Sequence, residues 1–241
     1  MSKPLDLLAV FAHPDDAELL CGGSLARSAD AGERVGILDL TRGESASRGT
    51  PEDRAREGDV AARILGVSLR RNAGLPDAGL ENTLPLRHAL ARHLRELRPR
   101  VVVTHWLEGR HPDHRETARL VLDAAFLAGL RSLDLGPSHH RPFKIVHAIG
   151  FREDAPPPSF VVDVTAQVDR KLEAMAAFAS QWEGATGAGE AFPGGDRPLP
   201  EQVLAHLAYW GSRIRVPYGE PFWTRETLAV DSLGGLGVST F

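Results

Sequence analysis

The stretch Ala12-His13-Pro14-Asp15-Asp16-Ala17-Glu18 brings one imidazole and two adjacent carboxylates within four positions. A second stretch, His111-Pro112-Asp113-His114, sets two imidazoles three residues apart around another carboxylate. Zinc accepts imidazole nitrogen and carboxylate oxygen, and a catalytic zinc site keeps three protein ligands with one position open for water. His13, Asp16 and His114 supply such a His-Asp-His set. Cys21 is the sole cysteine, so no internal disulfide can form and any metal site must use N and O donors. A metal lowers the pKa of its bound water toward 7. Asp15, adjacent to a ligand, is the candidate general base for that water. Attack on a carbonyl leaves an oxyanion that the metal and a protonated His111 would stabilise. Asp113 is then placed to hold His111 in one tautomer and favour its charged form. This layout suits hydrolysis of an amide or ester. Plainer readings stand beside it: Asp16 or Asp15 as a helix N-cap, and Asp113 as a first-turn acid.

Both motifs fall where an apolar run gives way to helical periodicity. Leu5 to Ala12 predicts a buried strand, followed by a helix to about Ala31 in which Gly22 and Gly23 allow close approach to the sheet. Arg34 to Thr41 predicts a second strand. Thr50-Pro51-Glu52-Asp53 opens a helix with a cap, a first-turn proline and acids, ending near Leu65-Gly66. A short strand lies within Val67 to Leu75, and an amphipathic helix spans Leu84 to Leu97. Further strands are expected over Arg100 to Trp106, Lys144 to Gly150 and Ser159 to Val164. Helices are expected from the His111 motif to about Leu130, over Ala166 to Trp182 and over Pro200 to Ile214. Residues 183–199 read as a flexible loop, and Val216 to Phe241 resists assignment. The alternation implies one α/β domain over residues 1–241, a mostly parallel sheet with helices on both faces. Ligands in such sheets bind beyond the carboxyl ends of the strands, where both motifs lie.

Composition narrows the function classes. The 28 Lys and Arg are outnumbered by 32 Asp and Glu, a net charge of −4 that leaves no electrostatic footprint for nucleic acid. No run approaches the roughly 20 apolar residues of a membrane span. No secretory leader is evident, so a cytoplasmic location is expected. No Gly-x-Gly-x-x-Gly follows the first strand, which argues against a dinucleotide-dependent oxidoreductase.

The two His motifs resemble those of the LmbE-like, or PIG-L, family of zinc-dependent N-acetylglucosamine deacetylases. The likeness extends through Asp39-Leu-Thr-Arg-Gly-Glu44, Arg48-Gly-Thr-Pro-Glu-Asp-Arg54, Asn72-Ala-Gly-Leu-Pro-Asp77, Pro158-Ser-Phe-Val-Val-Asp163, Lys171-Leu-Glu-Ala-Met with Ser180-Gln181, and Tyr218-Gly-Glu-Pro-Phe222. It is most similar to the branch of bacillithiol biosynthesis, the N-acetylglucosaminyl-malate deacetylases. The resemblance implies a Rossmann-like fold and one Zn2+ per chain, or Fe2+, on His13, Asp16 and His114. It also implies Asp15 as base and His111, paired with Asp113, at the oxyanion. Arg54 and Arg110 would suit the carboxylates of a malyl group, and Asp77 the sugar hydroxyls. The implied partners are a small amino-sugar substrate and further copies of the chain, as a hexamer. Relatives carry an active-site Tyr before the last helix. Here Arg197-Pro-Leu-Pro-Glu-Gln has none, which leaves Tyr209, His206 or no residue in its place. The histidines outside the two motifs (His88, His93, His105, His139, His140, His147, His206) read as structural or exposed, with His105 and Trp106 ending a strand near the site.

Overall fold

Short apolar runs bounded by turn residues become most of the strands. In the computed structural model, which describes residues 3–151, 154–182 and 197–235, the strands are β1 (Leu7–Phe11), β2 (Val35–Asp39), β3 (Leu69–Asn72), β4 (Val101–Thr104), β5 (Lys144–Ala148), β6 (Phe160–Asp163) and β7 (Gly219–Trp223). The helices are α1 (Asp16–Asp30), α2 (Pro51–Leu65), α3 (Leu84–Leu97), α4 (Pro112–Ala128), α5 (Val168–Ala176), α6 (Ala179–Trp182) and α7 (Leu199–Arg213). The Thr50 cap forms as expected: its hydroxyl accepts from the Asp53 N–H while the Asp53 carboxylate accepts from the Thr50 N–H, a reciprocal capping box.

The sheet order is β3-β2-β1-β4-β5-β7-β6. Strands β1 to β5 run parallel. The chain winds outward through β2 and β3, then returns to lay β4 on the other side of β1. The order therefore reverses between β1 and β4, which opens a crevice beyond their carboxyl ends. Helices α3 and α4 cover one face, burying Leu8, Val10 and Val102 against Leu90, Leu94, Leu120 and Val121. Helices α1, α2 and α5 cover the other, burying Ala9, Phe11 and Ile37 against Leu25, Leu65 and Ala174.

One unassigned stretch is resolved and two expectations need correction. The unassigned tail contains β7, which slots antiparallel between β5 and β6. The helix expected over Ala166 to Trp182 is instead a 3-10 turn (Thr165–Gln167), α5 and α6, with Ala177 and Phe178 between the last two. Phe178 is fully buried beneath α2, and the break lets it turn inward. Finally, α1 is broken at Cys21 (φ −143°, ψ 17°). Gly23 sits so close to the chain leaving β6 that an added Cβ would lie 2.8 Å from Val164 Cβ. Most of the loop expected at 183–199 lies outside the described residues, and Leu199 opens α7.

Candidate metal centre

β1 ends at Phe11, and the chain turns through Ala12-His13-Pro14 into α1. Asp15 holds the N-cap position with φ +114° and ψ −26°, where a residue with a side chain is strained. Its carboxylate does not cap the helix. Asp15 Oδ2 instead receives Arg54 Nη2 at 3.0 Å, and that same nitrogen donates to the Pro14 carbonyl. Arg54 comes from the first turn of α2 and is only 4% exposed, so its guanidinium is committed inward. Gly43 (φ +69°) makes room for it, since a Cβ there would stand 2.1 Å from Arg54 Nη1. The Asp16 carboxylate turns back as well, accepting the His13 N–H at 2.8 Å. Neither acid is thus the side-chain cap of the plainer reading.

The three expected ligands converge. Asp16 Oδ1 lies 3.2 Å from His114 Nε2, and Asp16 Oδ2 lies 3.2 Å from His13 Nδ1. The donor atoms of His13, Asp16 and His114 all fall within 4.8 Å of one another. Two ligands at zinc bonding distance and tetrahedral angle stand about 3.3 Å apart, so the spacing and the donor chemistry fit such an ion. His13 comes from the end of β1, Asp16 from the start of α1 and His114 from the first turn of α4. The site therefore straddles the point where the strand order reverses.

Burial and charge shape the protonation of the cluster. Burial pushes Asp15 up to about 7, against the pull of the Arg54 guanidinium and with the push of neighbouring Asp16. Burial alone would raise Asp16 too, but His114 and His105 hold it well below the usual carboxylate range. Burial would lower His13, yet contacts to Asp113, Asp16 and Asp77 outweigh it and carry the imidazole to about 12. A divalent cation would take the place of that proton among the same carboxylates. His111 is lowered, first by burial and then by His114 and His13.

Several residues sit differently from expectation. Asp113 Oδ2 faces His13 Nε2 at 3.4 Å and accepts the Ala78 N–H at 2.8 Å. The bond to His111 comes from the Asp113 backbone, whose N–H donates to His111 Nδ1 at 3.2 Å. That fixes a tautomer with the proton on Nε2, but for a neutral ring, not the charged one expected. Asp77 also belongs to the centre: its Oδ1 is 3.1 Å from His13 Nε2 and its Oδ2 accepts the Ser45 N–H at 2.7 Å. Those bonds overcome the effect of burial and hold its pKa at about 2. Arg110 is exposed on the loop just before His111. Tyr209 is 57% exposed on α7, and His206 packs near Phe151 with Nε2 on the Ile149 carbonyl. Neither is among the groups that gather at His13.

One participant exceeds its sequence reading. His105 is fully buried, and its Nε2 accepts the Ala12 N–H at 3.0 Å while lying 3.3 Å from Asp16 Oδ2. Its ring stacks on that of His114, with centroids 3.8 Å apart. The available signal was its position at the carboxyl end of β4, beside the reversal of strand order.

Comparison with known proteins agrees with this geometry. A sequence profile described as "PIG-L: GlcNAc-PI de-N-acetylase" matches residues 8–125, which contain every ligand candidate. The chain is 30% identical over 197 residues to a probable N-acetyl-alpha-D-glucosaminyl L-malate deacetylase 2 of Bacillus anthracis, covering 76% of this chain and 84% of that one. It is 34% identical over 162 residues to a 1D-myo-inositol 2-acetamido-2-deoxy-alpha-D-glucopyranoside deacetylase 2 of Catenulispora acidiphila, a match spanning 53% of this chain and about half (53%) of that protein's length. Among solved structures, the conserved protein TT1542 of Thermus thermophilus superposes with a TM-score of 0.84 at 43% identity, covering 94% of this chain and 98% of that one.

Proposed function

The chain belongs to the PIG-L family of de-N-acetylases, and from that premise we propose that it is a metal-dependent hydrolase of N-acetylglucosaminyl conjugates. The proposed substrate is N-acetylglucosaminyl-malate, cleaved by water to free amine and acetate. One observation carries the reading: a His-Asp-His donor set at ligand spacing shares its crevice with a buried carboxylate, Asp15, poised near neutrality.

Zn2+ is the proposed ion, held by His13, Asp16 and His114, with Fe2+ suited to the same donors; when bound it would polarise the acetyl carbonyl and acidify a water. Asp15 then takes the water's proton and returns it to the leaving amine nitrogen. Arg54 holds that carboxylate in place. His111 donates Nε2–H to the developing oxyanion as a neutral imidazole, because its Nδ1 is occupied as an acceptor. His105 keeps the β1 turn and the His114 ring in register. With Arg54 committed to Asp15, Arg110 is the proposed partner of a substrate carboxylate, and Asp77 orients His13 in addition to any sugar hydroxyl it meets.

The test is amine release by zinc-loaded protein from N-acetylglucosaminyl-malate, N-acetylglucosaminyl-inositol and free N-acetylglucosamine. Preference for the malate conjugate is expected. Asp15→Asn should lower kcat about 10²- to 10⁴-fold with zinc still bound. Equal rates on all three compounds would reject a dedicated malate pocket. Absence of amine release from any of them, with zinc or iron loaded, would reject the activity.

A further inference from the structure

Two stretches singled out in the sequence, Lys171-Leu-Glu-Ala-Met and Tyr218-Gly-Glu-Pro-Phe222, take no part in the chemistry above. In the fold they meet at the break in α1. Lys171 Nζ, on α5, donates to the carbonyls of Glu18 and Leu19 at 2.9 and 2.7 Å and to Glu220 Oε1 at 2.8 Å. Glu220, on β7, accepts the Gly23 N–H on Oε1 at 2.9 Å and the Ser24 N–H on Oε2 at 2.7 Å. Both side chains are 0% exposed.

The non-helical Cys21 divides α1 into a short leading segment, residues 16–20, and a longer trailing one. Such a break leaves carbonyls of the first piece and N–H groups of the second without helical partners. An ammonium on those carbonyls and a carboxylate on those N–H groups satisfies both ends, with each charge on the favourable end of a helix dipole. The leading segment is gripped from its other side too. Glu18 Oε1 receives Arg70 Nη1 at 2.6 Å, and Arg70 forks onto Asp39 at 2.8 and 2.9 Å. This five-residue segment begins with the ligand Asp16 and follows directly on Asp15. Burying a full ion pair costs desolvation that the partners must repay. A neutral cap would satisfy a simple kink without that cost.

We propose that Lys171 and Glu220 are positioning residues of the metal centre: their buried ion pair sets where the leading segment of α1 ends, and through it the placement of Asp16 and Asp15. The inference rests on the functional reading above, because only a site that holds a metal and moves a proton gains from that placement. Lys171 and Glu220 touch neither ligand nor substrate. The leading segment is the link.

The test compares the parent, Lys171→Met/Glu220→Gln and Glu220→Gln alone, each first stripped of metal. Removing both charges together leaves no unpaired ion, while the Glu18 and Leu19 carbonyls lose their donor, so the double variant should still fold and should unfold about 5–15 °C below the parent. Its zinc affinity, titrated with zinc alone against a chromophoric chelator, should fall about tenfold or more, and kcat should fall with KM little changed. Parental zinc affinity and kcat would overturn the proposal. Should the double variant fail to fold, Glu220→Gln decides. It keeps one acceptor for Lys171 and Gly23 but gives up the Ser24 N–H, so weaker zinc binding supports the proposal and parental binding overturns it. A parent that binds no zinc would fail the functional reading instead. Amide exchange of residues 16–24 in the metal-free proteins then judges the pair, faster exchange in the variants supporting it and unchanged exchange overturning it.

Discussion

Arg54 touches Asp15 at 3.0 Å and is almost wholly enclosed, so its charge acts on a carboxylate of the same chain. Burial raises Asp15 and the guanidinium opposes the rise. Activity that needs ionised Asp15 therefore increases as pH climbs through the Asp15 pKa, and a bound cation moves that midpoint lower. Removing the Arg54 charge favours the protonated acid. Arg54→Gln should shift the ascending limb of kcat/KM to higher pH, lowering activity most at about pH 6 to 7. A substrate clamp would instead raise KM and leave the limb in place. The convergence of His13, Asp16 and His114 was legible in the chain because imidazole and carboxylate at two strand-to-helix junctions are an uncommon pairing. The inward commitment of Arg54 was not legible, because it depends on a glycine eleven residues earlier, Gly43, whose missing side chain makes the space. The role of Asp113 was half legible: the residue reaches the centre, but its backbone serves His111 while its carboxylate serves His13.

Among the elements, α3 and the capped start of α2 follow their local signals to the residue: cap and first-turn proline agree for α2, first-turn proline and apolar stripe for α3. β7 gave no such agreement. Its five residues, Gly219–Trp223, include a glycine and a proline, both poor strand formers, and it is held by pairing on either side with β5 and β6. Tertiary burial decides it: Phe222 is 3% exposed and stacks on Phe160 with ring centroids 5.5 Å apart. Phe222→Ala should cost about 3–5 kcal/mol, read as a lower urea midpoint at unchanged slope. The broken α1 was likewise hidden. Gly22 and Gly23 signal close approach, but only the Glu220 carboxylate arriving from β7 shows what the break accommodates.

At the scale of the whole molecule, the protein encloses many ionisable groups away from the centre, and these make its stability depend on pH. Burial lowers His206 to about 4, against an ordinary value of 6.5. A histidine depressed in the folded state contributes stability that is complete above the unfolded pKa and is lost as pH falls toward the folded one. His206 should thus take thermal stability from the metal-free protein between about pH 6.5 and pH 4, so His206→Gln should lose less stability than the parent over that window in a calorimetric series. No helix among the described residues is long and apolar enough to cross a membrane. The position of β7 has a consequence for how the chain is made. Glu220 follows His114, the last member of the His13-Asp16-His114 cluster, by 106 residues. At translation speeds of about 5–20 residues per second, the emerging polypeptide carries His13, Asp16 and His114 for roughly 5–20 s before β7 exists. Until then β5 presents an unpaired edge to the ribosome's surroundings, and the leading turn of α1 lacks its anchor. The finished geometry around His13, Asp16 and His114 accordingly waits on β7 and is not complete when those three residues have been made.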